Sequence, residues 1–161
     1  MAEKELHKGE SSELLQLVSF KIGDEEFGID ILKVQEINRM FQITKVPNAP
    51  DFVDGVVNLR GRIIPVVDLR ARLNMMRKEH DQKSRIIVVD LNKVTIGFIV
   101  DEVSEVLRIS KDITEQPPSM VAGIETEYIT AIAKMEDRLL ILLDLEKIFN
   151  LEERNALSSV G

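Results

Sequence analysis

The sequence contains no cysteine and no tryptophan, and only 4% of its 161 residues are aromatic. Without cysteine there can be no disulfide, no thiolate metal site and no cysteine nucleophile. The scarcity of aromatic rings disfavours a stacking platform for sugars or bases. The formal net charge of −7 argues against nucleic acid as a partner, because phosphate binding requires a basic face.

Residues able to act as catalysts or metal ligands are also scarce. The two histidines, His7 and His80, lie in polar stretches, where neither is placed to act as a general base. The sequence has no glycine-rich phosphate loop, no HExxH zinc motif and no plausible serine–histidine–acid arrangement. We therefore predict no enzymatic activity, no cofactor and no metal, and an enzyme would require an unusual site.

Long apolar runs are absent as well. The first residues have no apolar signal-peptide core, and no segment approaches the roughly 18 apolar residues of a membrane span. The sequence predicts a cytoplasmic chain without direct membrane insertion and with a flexible acidic head at residues 1–13. Residues 14–161 are long enough to form a single domain with a sizeable core.

The most informative feature that is present is an internal repeat. Residues 28–37 resemble residues 97–106, a displacement of 69 positions (from 28 to 97). Two blocks within residues 52–69 resemble blocks that lie 76 positions later in the chain (from 62 to 138). The matching blocks come in the same order and share glycine, glutamate, arginine and aspartate, which favours duplication over chance. The additional seven residues of the second copy (76 less 69) are expected near Ile113–Thr126.

Each copy reads as short strands joined by tight turns. Apolar residues alternate along several segments, as expected for half-buried strands. The predicted strand pairs are Leu15–Ile22 with Phe27–Ile31, Val56–Leu59 with Ile63–Val67, Arg85–Leu91 with Val94–Val100, and Ala131–Met135 with Arg138–Leu143. Pro65 cannot donate a backbone hydrogen bond and is expected at an edge or a bulge.

The same pattern predicts how the domain is divided. We expect two β subdomains at about residues 14–80 and 81–150, although the pattern leaves the crossover of the terminal strands open. Residues 74–84 are polar and are interpreted as the linker between them. Asp68 and Asp144 are placed to cap short helices. The second of these helices begins a C-terminal helix and tail over residues 144–161, whose last four residues are expected to fray.

One charged pair stands out against apolar neighbours. Glu36 follows Val34 in a predicted strand, and Arg60 lies in the turn of a predicted hairpin. A carboxylate and a guanidinium can form paired hydrogen bonds, and arginine suits a semi-buried site. The second copy keeps Glu105 but has Glu136 in place of Arg60, so we expect the pair only in the first copy. It is either a structural bridge or a recognition element, and the two interpretations are compatible.

Three motifs resemble the chemotaxis coupling family, the CheW-like proteins. They lie at Gly23–Ile37, Val46–Gly61 and Ile63–Arg70, and the resemblance extends over residues 15–149. The order of Asn-Leu-Arg-Gly followed by Pro-Val-Val-Asp-Leu is highly specific. The resemblance implies a mainly β fold of two five-stranded SH3-like barrels related by pseudo-symmetry, with a hydrophobic core between them and no enzymatic activity.

The resemblance also implies partners and contact residues. The family couples the helical cytoplasmic tips of chemoreceptors to the regulatory domain of the histidine kinase CheA, in arrays at the inner face of the membrane. A receptor-binding groove would involve Val34, Glu36, Ile37, Arg60, Ile63 and Ile86. A kinase-binding face would involve Ile29, Ile31, Val53, Gly55 and Val56.

A second kind of interaction module remains open at this point. A small β barrel that binds peptides would have the same composition and strand pattern, and only the motifs separate it from a receptor coupler. An RNA-binding barrel is disfavoured because the chain is acidic and lacks a basic stripe.

Overall fold

Short strands and tight turns dominate the computed structural model, which describes residues 13–118, 120–121, 124–149 and 151–160. The strands are β1 (Leu14–Ile22), β2 (Glu25–Asp30), β3 (Val34–Arg39), β4 (Val53–Leu59), β5 (Arg62–Asp68), β6 (Arg85–Leu91), β7 (Val94–Val100), β8 (Glu102–Ser110), β9 (Thr114–Glu115), β10 (Met120–Val121), β11 (Ile124–Glu125), β12 (Ile129–Lys134) and β13 (Leu139–Leu143). The α-helices are α1 (Leu69–Arg72), α2 (Leu145–Ile148) and α3 (Leu151–Val160).

The strands form two main sheets with the same internal order. The five-stranded sheet runs β3-β6-β7-β5-β4, and the six-stranded sheet runs β8-β1-β2-β13-β12-β9. In the five-stranded sheet the hairpin β6–β7 lies next to the edge strand β3, and β7 pairs in parallel with β5, which precedes α1. In the six-stranded sheet the hairpin β1–β2 lies next to the edge strand β8, and β2 pairs in parallel with β13, which precedes α2. The additional hairpin β10–β11 lies within the segment where the sequence predicted the longer connection.

The register of the parallel pairs confirms the duplication. Gly97 pairs with Val66 in the five-stranded sheet, and Gly28 pairs with Leu142 in the six-stranded sheet. Gly28 and Gly97 differ by 69 positions (28 to 97), whereas Val66 and Leu142 differ by 76 (66 to 142). Both displacements seen in the sequence therefore meet in one equivalent strand pair.

The irregularities of the ladders repeat as well. The β3–β6 ladder skips Gln35, and the β1–β8 ladder skips Ser104. The β4–β5 ladder skips Asp54, and the β12–β13 ladder skips Thr130. A β-bulge places an additional residue in one strand and re-aims the side chains around it. The two copies therefore share the fine geometry of their strands.

The two sheets do not correspond to residues 14–80 and 81–150, so this division is wrong for the strands. The first hairpin of each copy is exchanged: β1–β2 joins the sheet of the second copy, and β6–β7 joins the sheet of the first. The exchange covers hairpin edges that would otherwise expose unpaired backbone groups. Residues 74–84 consequently connect two elements of the same sheet and do not link the two units.

Three apolar clusters hold this arrangement together. The largest lies between the sheets and includes Phe20 and Phe27 from one sheet and Phe98 from the other. A smaller cluster fills each unit, around Ile86 in the five-stranded sheet and around Leu140 in the six-stranded sheet. The expected core between two β units is therefore confirmed, and its burial supplies the main stabilisation of the pair.

The helix caps follow the sequence prediction. Asp68 Oδ1 accepts a hydrogen bond of 3.0 Å from the Arg70 N–H, and Asp144 Oδ1 accepts one of 3.0 Å from the Glu146 N–H. Helix α3 extends to Val160, further than expected, because Leu157 is fully buried and anchors its last turns.

Most of the acidic head, residues 1–12, lies outside the described residues. None of the helices in the described part of the chain is long and apolar enough to cross a membrane.

Candidate functional site

The β4–β5 turn positions the arginine that the sequence singled out. Arg60 and Gly61 have φ values of 52° and 87°, the arrangement of a two-residue hairpin turn with two left-handed positions. The Asn58 side chain closes the turn by accepting a 2.8 Å hydrogen bond from the Gly61 N–H. Arginine rarely adopts a positive φ, so the turn holds Arg60 in a conformation that another residue would occupy more easily.

Arg60 forms the predicted ion pair. Its Nη2 atom donates to Glu36 Oε2 at 2.5 Å, and Asn38 Nδ2 donates to Glu36 Oε1 at 3.0 Å. The Arg60 side chain is 69% exposed and that of Glu36 is 24% exposed. An ion pair this exposed contributes little to the free energy of folding, but it fixes the direction of both side chains.

Two isoleucines close to this pair in the sequence also present apolar surface to solvent. Ile37 is 38% exposed and Ile63 is 49% exposed. We name the set Glu36, Ile37, Arg60 and Ile63 the Arg60 face. Val34 is half-buried and packs against the central core, so it supports this face from behind.

Ile86 does not belong to the same surface. It is fully buried, and its Cγ2 atom lies 2.8 Å from the place where a side chain on Gly97 would begin. Its strand runs between β3 and β7, and its side chain points into the apolar cluster of the five-stranded sheet. The expectation that Ile86 contacts a receptor directly is therefore wrong.

The five candidates for a kinase-binding face lie on two sheets. Ile29 lies in β2 of the six-stranded sheet and is only 2% exposed, so it cannot contact a partner directly. Ile31 follows that strand and is half-buried. Val53 and Val56 are half-buried on β4, an edge strand of the five-stranded sheet. Because β2 and β4 belong to different sheets, the five residues do not all lie on the surface of one sheet.

Gly55 lies on β4 at a point of close backbone approach. Its φ is 155°, and a Cβ atom added to it would lie 2.3 Å from the Thr44 carbonyl oxygen and 2.7 Å from Ile43 Cγ2. The same carbonyl accepts a 2.8 Å hydrogen bond from the Val56 N–H. A side chain at Gly55 would therefore displace the segment that pairs with β4.

The six-stranded sheet carries a related surface that was not predicted from the sequence. Val106 is 62% exposed and Leu139 is 60% exposed, and the two displacements map them onto Ile37 and Ile63. Arg138 Nη2 donates to Glu105 Oε2 at 3.4 Å. The expectation that only the first copy can form such a pair is wrong, because Arg138, directly before β13, reaches Glu105 although the counterpart of Arg60 is a glutamate.

Among the described residues, one group could hold a metal ion: Asp54, Asp68 and His80 have ligand atoms within 4.8 Å of one another. However, Arg77 Nη1 lies 2.9 Å from Asp54 Oδ1 and 3.5 Å from Asp68 Oδ2, so a cation already lies between the carboxylates. Burial, together with the Asp54 carboxylate, raises the pKa of Asp68 above its ordinary value. This cluster is an ion-pair network built around Arg77.

Comparison with known proteins identifies the family. The family model of the CheW-like domain matches residues 16–153. The chain belongs to the CheW-like family. The chemotaxis protein CheW of Klebsiella aerogenes is 39% identical over 146 residues, which cover 91% of this chain and 88% of that protein. The CheW of Thermotoga maritima is 38% identical over 133 residues, covering 83% and 86% respectively.

A solved CheW-like structure has the same fold. The crystal structure of the scaffolding protein TtCheW from Thermoanaerobacter tengcongensis superimposes with a TM-score of 0.80 at 36% identity, over 88% of this chain and 96% of that one. The similarities confirm the predicted family, the fold of two SH3-like barrels and a non-enzymatic scaffold function in chemotaxis signalling. Other chemotaxis signalling proteins are therefore its partners.

Proposed function

We propose that the chain couples the helical cytoplasmic tip of a chemoreceptor to the regulatory domain of the kinase CheA through two separate surfaces. The observation that supports this most strongly is the Arg60 face, where an ion pair with an exposed arginine and two exposed isoleucines occur at neighbouring positions of β3 and of the β4–β5 hairpin. A scaffold needs surfaces of this kind and no reaction centre. The proposal places the protein at receptor arrays on the inner face of the membrane.

The Arg60 face fits a helical partner. An amphipathic helix offers an apolar stripe and flanking polar side chains, which Ile37 and Ile63 can contact on one side and Glu36 and Arg60 on the other. Arg60 has one guanidinium nitrogen engaged by Glu36, and its remaining donors face solvent on a side chain that is 69% exposed. Those N–H groups can donate to a carboxylate of the receptor in a paired geometry.

The kinase contact is proposed at the edge strand β4. Val53 and Val56 lie on it, half-buried, and because Thr44 already pairs with the backbone of Val56, the contact would use their branched side chains. Gly55 supports this surface indirectly, because it allows the segment around Thr44 to pair with the strand. Ile31 lies on the other sheet and would contribute only to a partner that spans both units.

Calorimetric titration tests each surface separately. With the wild-type chain we expect saturable one-to-one binding of the CheA regulatory domain and of a receptor-tip helical hairpin. Arg60→Glu should weaken binding of the hairpin at least tenfold and leave binding of the kinase domain unchanged. Val56→Lys should have the opposite effect, because a charged group at β4 opposes barrel-to-barrel packing.

Lys93→Glu is the matched control for Arg60→Glu. Lys93 is also an exposed cation at a two-residue turn in the same sheet, with a φ of 75°. Its reversal should change neither affinity. Equal loss of hairpin binding in both variants would show that the effect comes from the change in overall charge and not from Arg60 itself. Absence of binding to either partner by a folded wild-type chain would refute the coupling function and favour a barrel that binds another peptide.

A further inference from the structure

An open groove of about 630 Å³ lies at one end of the six-stranded sheet, beside the start of β1 and the ends of β2 and β13. Most of the residues that line it are leucines or isoleucines. Two of them, Ile29 and Ile31, were candidates for the kinase-binding face, and none belongs to the Arg60 face. The two proposed surfaces therefore leave most of this groove unexplained.

Leucines contribute both buried and exposed surface to the groove. Leu17 and Leu142 are each 5% exposed, and a Cβ atom on Gly28 would lie 3.5 Å from Leu17 Cδ1 and 3.2 Å from Leu142 Cδ2, so these residues lie together. Leu32 is 88% exposed and Leu14 is 38% exposed, and both also line the groove. Apolar side chains this exposed gain free energy when a partner covers them.

The corresponding place in the first copy is bridged by an ion pair. Arg70 Nε and Nη2 donate to Asp101 at 2.9 Å and 2.5 Å. The 69-residue displacement maps Asp101 onto Leu32 (101 to 32), which lines the groove. The 76-residue displacement maps Arg70 onto Glu146 (70 to 146), which also lines it. A leucine and a glutamate cannot form this bridge, so the second copy presents apolar surface where the first has a charged contact.

The polar part of the groove is acidic. Its charged residues are the carboxylates Asp30, Asp144 and Glu146 and one cation, Lys33, which donates to Glu146. That hydrogen bond, together with the charges of Glu146, Asp30 and Asp144, raises the pKa of Lys33 above its ordinary value despite its partial burial. Asp30 and Asp144 each use Oδ1 to cap the backbone that follows them, which leaves Oδ2 to a partner. A second cation is therefore favoured in this region.

The first copy shows what such a carboxylate attracts. Asp68, the counterpart of Asp144 (68 to 144), lies with its Oδ2 atom 3.5 Å from Arg77 Nη1. The same nitrogen lies 2.9 Å from Asp54 Oδ1, and the counterpart of Asp54 is Thr130, which lines the groove (54 to 130). In the described part of the chain no arginine forms an ion pair with Asp144, so a partner can supply the cation there.

We propose that this groove binds a basic amphipathic helix of another protein, with leucine or isoleucine side chains against Leu17 and Leu32 and a lysine or arginine beside Asp144. The walls determine this choice of occupant: the apolar surface complements the apolar stripe of a helix, and the carboxylates complement basic residues beside that stripe. The groove is thus a third surface of the chain, separate from the Arg60 face and from β4. A kinase contact that uses Ile31 would compete with the helix, and only this consequence rests on the proposed function.

A designed peptide tests the proposal with the full chain. The probe is an amphipathic peptide of leucine, alanine and lysine, with its leucines spaced to form one face of a helix. In methyl NMR spectra it should shift the signals of Leu17, Ile31 and Leu142 saturably and leave those of Ile63 and Val56 unchanged. The absence of a saturable shift at the groove, or equal affinity of a peptide with glutamate in place of lysine, would overturn the proposal. A groove already filled by another segment of the chain would give the first of these two results.

Substitutions at the groove test its two kinds of contact. Leu32→Ser should weaken binding of the leucine–lysine peptide about tenfold, because it removes exposed apolar surface from the groove. Met76→Ser is its matched control, since Met76 is 86% exposed outside the groove, and it should leave the affinity unchanged.

The acidic contact has a matched pair of its own. Asp144→Asn should weaken binding of the same peptide about threefold while keeping the helix cap. Asp90→Asn, which removes an exposed carboxylate from β6, should not weaken it. Equal weakening by a groove variant and its control would show that the peptide responds to overall charge and apolar surface, and would overturn a specific site.

Discussion

In the five-stranded sheet Arg60 donates to Glu36, whereas in the six-stranded sheet Arg138 contacts three carboxylates. Arg138 Nε donates to Glu26 at 2.6 Å, and its other nitrogens lie 3.4 Å from Glu105 and 3.2 Å from Asp137. Glu26 is 9% exposed, so this guanidinium neutralises a nearly buried charge. Arg138 ties strands together, while most of the donors of Arg60 face solvent.

The difference comes from a shift of two positions. Arg138 corresponds to Arg62, the first residue of β5, whereas Arg60 corresponds to Glu136 in the β12–β13 connection. An arginine at the start of a strand points along the sheet towards neighbouring strands, and an arginine at the tip of a turn points away from it. Two copies of one fold thus use the same type of ion pair once for stability and once, as we propose, for recognition.

The largest expected effect on this comparison comes from Gly55, whose counterpart in the six-stranded sheet is Ala131 (55 to 131). Gly55→Ala should lower the free energy of unfolding by about 3 kcal/mol, because the added Cβ overlaps the Thr44 carbonyl. Ala131→Gly should cost only about 1 kcal/mol. Urea unfolding followed by circular dichroism measures both, and equal losses would contradict the asymmetry.

Asp101 breaks the symmetry in a second way, because its counterpart is Leu32, which is 88% exposed (101 to 32). Asp101 accepts from Arg70 Nε at 2.9 Å and Nη2 at 2.5 Å, and from the Gly23 N–H at 2.8 Å. Asp101→Asn should cost about 2 kcal/mol at neutral pH, because it leaves a mostly buried guanidinium without its charge partner. Asp90→Asn, at an exposed position, is the control and should cost little.

The same pair predicts a pH dependence. Burial opposes ionisation of Asp101, but the hydrogen bonds from Arg70 and Gly23 outweigh it and hold the pKa of Asp101 below its ordinary value. The pair therefore stabilises the fold above the unfolded carboxyl pKa of about 3.9, and the contribution is lost as pH falls through the lower pKa of the folded state. Thermal melts from pH 6 to pH 2 should fall less steeply in Asp101→Asn than in the wild type.

The next largest effect is a difference between Arg138 and Arg60 in how much each stabilises the fold. Arg138→Gln should lower the free energy of unfolding by about 1.5 kcal/mol, because Glu26 would be left nearly buried with its charge unpaired. Arg60→Gln should cost less than about 0.5 kcal/mol, as expected for an exposed pair. Chemical denaturation of both variants tests the contrast, which fails if Arg60→Gln proves the more destabilising.

The smallest expected effect is a gain in the free energy of unfolding. Ser19 is fully buried and its hydroxyl has no hydrogen-bond partner among the described residues, while its counterpart in the other sheet is Val88 (19 to 88). Ser19→Val should raise the free energy of unfolding by about 1 kcal/mol, because an unpaired buried hydroxyl is replaced by an apolar group. Ser104→Val, at an exposed position of β8, should give no such gain. A less stable Ser19→Val variant would show that the site cannot hold the larger side chain.

Local features were predictable where neighbouring residues determine them. A run rich in isoleucine and valine, a two-residue turn at Asn92 and Lys93 and a second apolar run located the β6–β7 hairpin at its observed bounds. The caps at Asp68 and Asp144 depend only on hydrogen bonds within the next two residues. The glycine at position 55 was also interpretable, since only glycine tolerates so close a backbone approach.

Pro65 shows where this local reasoning fails. It was expected at an edge or a bulge, but β5 pairs with β4 on one side and β7 on the other. Val56, opposite Pro65, exchanges both of its backbone hydrogen bonds with Thr44, at 2.8 Å and 2.9 Å, so no donor is needed from Pro65. The ladder with β7 begins only at Val66. A bridge from a distant segment therefore makes the proline acceptable.

The candidate surfaces were predictable only in part. Alternation along a strand assigns residues to two faces without saying which face is buried, and Ile86 and Ile29 therefore fell on the wrong side. The pairing of Glu36 with Arg60 was predictable because both residues lie among apolar neighbours and carry groups that can form paired hydrogen bonds. The contact of Arg138 with Glu26 was not, since these residues are 112 positions apart and meet only because β2 lies beside β13.

The sequence by itself determined that the chain is a duplicated β protein of the CheW-like family, because strand periodicity, turn residues and helix caps act over a few residues and repeat in order. Only the tertiary structure decided that the two copies exchange their first hairpins, since both hairpins have equivalent edges and the choice depends on burying the core between the sheets. That exchange fixes which side chains remain on the surface. It leaves Arg60 at an exposed turn and places Arg138 beside the nearly buried Glu26.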